Sequence, residues 1–579
     1  MNMSTLTRSV SYSLLFLMTV VLVGCQDLSV ENTNNPTTEQ VLSTAEDVEG
    51  LAGNTFRDFW SGTQWCDPSM LYSTLADAHS CSWANWAMND MSSEPRITWN
   101  NSSAYSRALV TEAPWFRNYL AISNASDVLR SIENIGADQI NTTLGSDVAA
   151  QRMEAFANFV LGLSYGHIAS TFDRGFLVDE TTNLEDPAGL ELVPYDQVKD
   201  FAIQKLDNAI AIAEANDFTI AAGDDWIFGL DVSSDRLIRL ANSYKARYEA
   251  SVTRTPAERA AADWGSIQTW IDNGITETFA PIGDDDGSSE WDCMKFYGQE
   301  PSTWARADYR TIGPADQSGG YEDWVATPVA DRNPYETETV DQRIQSAGVG
   351  SDGSDASFQG TAFTAFPPAR GTYHYSDYTF DRYGDYLANT ANGAMPVMRV
   401  AEMDLLKAEA LLQTGGDPAE VADLINNTRV DRGGMSAAAG TDPVGSIDDA
   451  PNPLAPGDVT LWSMLKYEFN LETMLTAAGI NYFTDRGWGD LVEGTPLHFP
   501  IPGAELETLG TDTYTFGGVG GRCAAPAPGG NFPSEEDCLG GSGGGGGSSL
   551  RLAEQFVINL DRWQERETTR EVSLPSSPQ

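Results

Sequence analysis

Apolar residues recur at spacings of three and four along much of the chain, the period of a helix with one buried face. Met153, Phe156, Val160 and Leu163 form such a stripe within a helix predicted over 147–172. Val198, Ala202, Leu206, Ala209, Ile210 and Ala213 do the same over 195–215, and helices over 234–253 and 257–274 follow. The last of these opens with Thr255-Pro256-Ala257-Glu258, a capping box with proline at the first helical position. The device returns at Asp417-Pro418-Ala419-Glu420, just after Gly415-Gly416 closes a helix over 398–412. Helices paired through short, capped turns are the way α-solenoids are assembled. No clean 34-residue period accompanies them, so the expectation is a mostly α fold with tetratricopeptide-like packing inferred from the pairs and not from a repeat.

Between 276 and 394 the helical pattern stops. Gly, Asp, Ser and Pro dominate there, and aromatic residues crowd in: Trp291, Trp304, Tyr309, Tyr321, Trp324, Tyr373, Tyr375 and Tyr378. A second irregular stretch, 63–113, carries Trp65, Trp83, Trp86 and Trp99. A long loop-rich segment with this aromatic content reads as functional. Near the C-terminus, the Gly/Ser run 540–549 reads as a surface loop. A short helix over 550–566 is expected to dock back through Leu552, Phe556, Ile558 and Trp563.

The N-terminus reads as an address. Arg8 precedes an apolar run, Leu14 to Val23, too short to cross a bilayer of roughly 30 Å but suited to a signal peptide. The run ends in Leu22-Val23-Gly24-Cys25, which resembles a bacterial lipobox. Cys25 would then carry acyl chains and become the first residue of the mature protein. At about 0.8 kcal/mol per buried CH₂, more than one chain makes a stable anchor. Export makes disulfides durable. Cys66 and Cys81 are fifteen residues apart, as are Cys523 and Cys538. Each pair would close a loop worth about 3 kcal/mol, leaving Cys293 as a buried thiol.

Charge narrows the partners. The 579 residues include 83 Asp and Glu against 34 Lys and Arg, a net charge of −49. Such a field repels phosphate backbones and anionic headgroups, which excludes nucleic acid and polybasic membrane attachment. The acidity reads as a solvated surface suited to salty surroundings.

Catalytic patterns fare poorly. Gly162-Leu163-Ser164-Tyr165-Gly166 matches the nucleophile-elbow pattern, yet it lies inside the predicted helix over 147–172, where the required strand-to-helix turn is missing. Its glycines, four apart, instead suit the close approach of a neighbouring helix. His79, His167, His374 and His498 form no metal-ligand spacing. Asp284-Asp285-Asp286-Gly287 hints at calcium, but Lys295 stands where an EF-hand needs its twelfth-position glutamate. Neither a cofactor nor a metal is called for, and the expectation is a protein that is not an enzyme.

The C-terminal half holds the most specific signal. Arg399-Val400-Ala401-Glu402-Met403-Asp404-Leu405-Leu406-Lys407-Ala408-Glu409-Ala410 precedes Ile425-Asn426-Asn427-Thr428-Arg429-Val430-Asp431-Arg432-Gly433-Gly434. Tyr467-Glu468, Ala478-Gly479, Asp485-Arg486-Gly487-Trp488-Gly489-Asp490-Leu491 and Phe499-Pro500-Ile501-Pro502-Gly503-Ala504-Glu505 follow in order. Together with the lipobox, Asn34-Asn35-Pro36-Thr37 and Phe172-Asp173-Arg174-Gly175, this order resembles the SusD/RagB family of outer-membrane nutrient-binding lipoproteins. Phe469 stands where the family often has Arg, and Ala478 where Glu is usual.

The resemblance implies a SusD-like helical body with four tetratricopeptide-like pairs and an irregular half carrying the ligand site. It also implies a lid for a partner TonB-dependent, SusC-like transporter at the cell outer membrane, held there by the lipid anchor and facing outward. The corresponding division is 1–24 signal peptide, 25–40 tether, 41–275 N-terminal helical region, 276–394 aromatic insert, 395–515 C-terminal helical region and 516–579 Gly-rich loop with C-terminal helix. Sugars stack their C–H faces on Trp and Tyr and take hydrogen bonds from Asp, Asn and Arg. The candidate ligand residues are therefore Trp83, Trp86, Trp291 and Trp304, with Asp77, Asn85, Glu94 and Arg96 as polar partners. A glycan or oligosaccharide is the expected ligand. A peptide ligand and a secreted glycan-degrading hydrolase remain open alternatives.

Overall fold

The computed structural model describes residues 42–80, 85–183, 190–284, 290–298, 306–346, 353–359, 376–454, 459–534 and 538. Its helices include α1 (Ala45–Thr63), α2 (Cys66–Leu75), α3 (Leu109–Ile135), α4 (Ala149–Thr171), α5 (Tyr195–Ala215) and α6 (Ser234–Ser251). They continue with α7 (Pro256–Ala261), α8 (Trp264–Asp272), α9 (Cys293–Tyr297), α10 (Val400–Thr414), α11 (Pro418–Arg429), α12 (Leu461–Thr473) and α13 (Ile480–Trp488). Four pairs pack side by side, α1 on α3, α4 on α5, α6 on α8 and α10 on α11. Each pair also touches the next, through α3 and α4, α5 and α6, and α8 and α10. This is the succession of helix pairs expected from the capped turns. Among the described residues, no helix is long and apolar enough to cross a membrane.

The caps form as their residues dictate. Thr255 Oγ1 accepts from the Glu258 N–H at 3.2 Å, while the Glu258 carboxylate accepts from the Arg254 N–H at 2.8 Å. Asp417 accepts from the Ala419 N–H at 3.0 Å, and Gly415 ends α10 at φ +71°, a left-handed conformation that favours glycine. One expectation is corrected: 257–274 is two helices. The chain leaves helical geometry at Ala262, and Asp263 recaps it by accepting from the Ser266 N–H at 3.0 Å.

The Gly162 and Gly166 spacing is a packing device. A Cβ at Gly162 would sit 2.4 Å from Leu206 of α5, and one at Gly166 would sit 2.2 Å from the Tyr248 ring of α6. Ser164 between them is fully buried in the middle of α4. The motif holds two neighbouring helices close and exposes no nucleophile.

The stretch 276–394 has no long helix among its described residues. It contributes strands to short antiparallel pairs, Ile282–Asp284 with Asn392–Ala394 and Ala356–Phe358 with Tyr378–Phe380. His79–Ser80 pairs with Arg306–Ala307 and so stitches the insert to the N-terminal half.

Charge holds this region to the C-terminal helices. Arg343, fully buried, donates to Asp341, Glu468 and Glu472, with shortest contacts of 2.7, 2.7 and 2.9 Å. Glu472 also meets Arg399 and Arg432, and Asp355 meets Arg382 and Arg432. Burial alone would raise the Glu472 carboxyl, yet the surrounding guanidinium groups hold it well below the usual range.

The ordered motifs find their physical reason here. Arg399 reaches Glu472, Glu402 takes Arg247 of α6 at 2.6 and 2.7 Å, and Glu409 takes Arg259 of α7 at 2.7 and 2.8 Å. Glu409 also accepts from Trp488 Nε1 at 2.9 Å. Arg486 donates to the carbonyls of Thr253, Leu497 and Ser251 and so ties α13 to the end of α6. Phe172 lies beside Phe499, and the Asp173 N–H donates to the Phe499 carbonyl at 3.0 Å. The Phe-Asp-Arg-Gly and Phe-Pro-Ile-Pro segments thus meet across the fold.

The cysteine expectation is half corrected. Cys523 and Cys538 are bonded, with Cα atoms 5.1 Å apart. Cys66 is bonded to Cys293 instead of Cys81, with Cα atoms 5.0 Å apart, so Cys293 is not a free thiol. Sequence proximity favoured the short loop, but packing of α9 against α2 brings a residue 227 positions away next to Cys66. Cys81, Cys25 and the helix expected over 550–566 lie outside the described residues.

Candidate functional site

Two of the four candidate tryptophans meet in the structure. Trp86 packs on Tyr297 with ring centroids 5.5 Å apart, and Trp291 packs on the same tyrosine at 5.7 Å. Phe296 completes the group, 5.9 Å from Trp291 and 5.1 Å from Tyr297. All four rings are half-buried, so each keeps part of its face or edge accessible. Trp83 and Trp304 lie outside the described residues.

The platform is built from two segments. Trp86 sits in a short turn, Asn85–Ala87, where Trp86 and Ala87 both have positive φ, +50° and +58°. Two successive non-glycine residues in that region cost on the order of 1 kcal/mol or more each, and such strain clusters at functional sites. The other segment is α9 with the residues before it. Asp292 caps α9 by accepting from the Lys295 N–H at 2.9 Å, and its carboxylate takes the Lys295 ammonium at 2.7 Å. Trp60 Nε1 donates to the Trp291 carbonyl at 2.8 Å, the Cys293 N–H donates to Gln64, and the Cys66–Cys293 disulfide clamps the start of α9 to α2. The ring-bearing loop is therefore fastened to the helical body at three consecutive levels.

The polar candidates divide. Asn85 is half-buried beside Trp86. Asp77 and Arg96 are both buried and turned on each other, with Arg96 Nη2 2.7 and 2.8 Å from the two carboxylate oxygens. Arg96 Nε further donates to Thr495 at 3.1 Å. Glu94 is paired with Arg310 at 2.8 Å and Arg332 at 3.3 Å, and both guanidinium groups lie over the buried Trp324. These charges are engaged with one another and with Trp324. Asp308 lies near these charges; burial first, and Asp77 second, push its carboxyl up to about 7.

Histidine chemistry is turned inward as well. His79 is fully buried against Ser73, and burial lowers its pKa to about 4. His167 is buried and lowered to about 3 by the same cause. Neither is a base near neutral pH. Among the described residues, no group of three or more His, Cys, Asp or Glu is placed to hold a metal ion. The arrangement can offer stacking surface and hydrogen bonds to a ligand.

Phe296 and Tyr297 escaped the candidate set. The visible signal was their spacing after Trp291, three aromatics within seven residues. That Tyr297 joins Trp291 to Trp86 follows only from the fold.

No family model matches the chain, and no curated protein matches it. Solved structures do. A SusD superfamily protein from Bacteroides vulgatus superposes with a TM-score of 0.51 at 12% identity, over 80% of this chain and 97% of that one. One from Parabacteroides distasonis gives 0.50 at 12%, over 80% and 97%. One from Bacteroides fragilis gives 0.49 at 15%, over 81% and 98%. The two superpositions with TM-scores of 0.51 and 0.50 show a shared fold, helix pairs with an irregular half, which here carries the aromatic platform.

Proposed function

We propose that this chain is a SusD/RagB-type nutrient-binding lipoprotein of the outer membrane. Its aromatic platform captures a glycan or oligosaccharide, which it delivers to a TonB-dependent, SusC-like transporter as that barrel's lid. Lipidated Cys25 holds it at the membrane, and it breaks no bond in its ligand. The observation that carries the reading is the group of Trp86, Trp291, Phe296 and Tyr297, half-buried on a fastened loop. Rings held in this way present rigid apolar faces to the C–H faces of a sugar at little entropic cost.

Titration calorimetry of the mature protein against a panel of oligosaccharides and peptides tests this. An oligosaccharide should bind, and Trp291→Ala should weaken it at least tenfold. Binding of peptides alone, or release of sugar products at enzymatic rates, would overturn the glycan reading. Palmitate labelling that is absent from the wild type, or that survives Cys25→Ala, would overturn the anchor.

A further inference from the structure

A short seam joins the insert to the N-terminal half, and buried acids lie on both sides of it. Past the paired strands His79–Ser80 and Arg306–Ala307, the Asp308 N–H donates to the Ala78 carbonyl at 3.0 Å. Thr311 Oγ1 donates to the Asp77 carbonyl at 3.1 Å. Asp77 on the body side and Asp308 on the insert side are 4% and 0% exposed. The seam borders the aromatic platform. His79 backs onto Gly298, the residue after Tyr297, so closely that a Cβ there would sit 3.1 Å from the imidazole.

Asp308 is unevenly partnered. Its Oδ1 accepts from the Arg310 N–H at 2.9 Å, whereas its buried Oδ2 has no hydrogen-bond partner among the described residues. The cations nearby are already engaged. Arg96 Nη2 serves both oxygens of Asp77, and Arg310 and Arg332 serve Glu94. A buried carboxylate oxygen without a donor is costly, and a proton on it removes the charge. Burial and the neighbouring Asp77 make Asp308 keep that proton up to about pH 7. Tyr321 also feels the Asp308 charge, and Asp485 of α13 feels that of Asp77. His79, on the facing strand, is held neutral by burial.

We propose that Asp308, set against Asp77, is a proton-operated latch between the insert and the helical body. With its proton, Asp308 is neutral and the seam closes over it. When the proton leaves to water, two buried carboxylates oppose one another, and opening the seam hydrates Asp308 and relieves them. The Asp308 latch is therefore tightest in mildly acid surroundings and loosens as pH climbs toward 7. It acts on the strand that backs the end of the platform helix α9.

Native-state hydrogen exchange on the full chain from pH 5 to pH 7, corrected for intrinsic exchange, tests the latch. His79 would take up a proton on opening and work in the opposite direction. The readout is therefore the ratio of opening in the wild type to opening in Asp308→Asn, which keeps the size and neutrality of the protonated acid. That ratio should rise at least tenfold across this range in residues 306–312 and stay constant in α10. On an Asp77→Asn background the same rise should shrink to less than half. A ratio independent of pH, an equal rise in α10, or an undiminished rise without Asp77 would overturn the proposal. The measurement needs no ligand, so its outcome is independent of what the platform binds.

Discussion

The paired helices and the irregular half solve the same burial problem by different means. In α3 to α6 the backbone satisfies its own hydrogen bonds, so cohesion comes from apolar stripes and small residues at contact points. The 276–394 region has few regular hydrogen bonds to spend. Its cohesion comes from Arg343, Asp341, Asp355 and Arg382 locked into Glu468, Glu472 and Arg432, and from the Cys66–Cys293 bond. The lesson is that regular structure needs shape, whereas irregular structure needs specific polar partners.

The largest test of that contrast is Arg343→Ala. It leaves Asp341, Glu468 and Glu472 buried without their shared cation and should cost about 3–5 kcal/mol in denaturant unfolding. A loss below about 1 kcal/mol would show that the network is incidental. Cys293→Ser removes the clamp on α9 and should cost about 2–5 kcal/mol. Ligand affinity should fall with it, because Trp291 and Tyr297 flank that bond. In the helical body, Gly166→Ala forces a methyl against the Tyr248 ring and should cost about 1–3 kcal/mol without touching ligand affinity.

Protonation acts with opposite sign in the two regions. His79 and His167 stay neutral in the fold, with pKa values near 4 and 3, while the unfolded chain takes up protons near pH 6.5. Stability should therefore fall as pH drops below 6.5, by about 1.4 kcal/mol per unit for each histidine. Asp308 is raised to about 7, so its contribution falls as pH climbs from about 4 to about 7. Unfolding midpoints across pH 4–7 should show a steeper rise with pH in Asp308→Asn than in the wild type. Identical profiles would remove Asp308 from the account. The smallest effect is that of salt: with exposed carboxylates and almost no exposed cations, thermal midpoints should rise modestly as salt screens the surface.

Helix positions were legible wherever periodicity and caps agreed, as over 195–215, observed as Tyr195–Ala215. The break at Ala262 was not, because Asp263 recaps a continuing apolar pattern without a proline or glycine to mark it. The role of Gly162 and Gly166 was legible from their spacing. Trp86 and Trp291 were picked out by composition, and the fold joins them through Tyr297. Asp77 and Arg96 looked equally available in sequence, yet they consume each other's hydrogen bonds.

The sequence by itself determined the helix-pair body, its caps, the motif order and the irregular aromatic stretch, because each is written in contacts between residues close along the chain. Only the tertiary structure decided that Cys66 finds Cys293, that Glu402 and Glu409 serve arginines 150 or more residues away, and that two distant loops share one aromatic platform. Those choices depend on which surfaces meet when the whole chain packs, and local spacing carries no record of that.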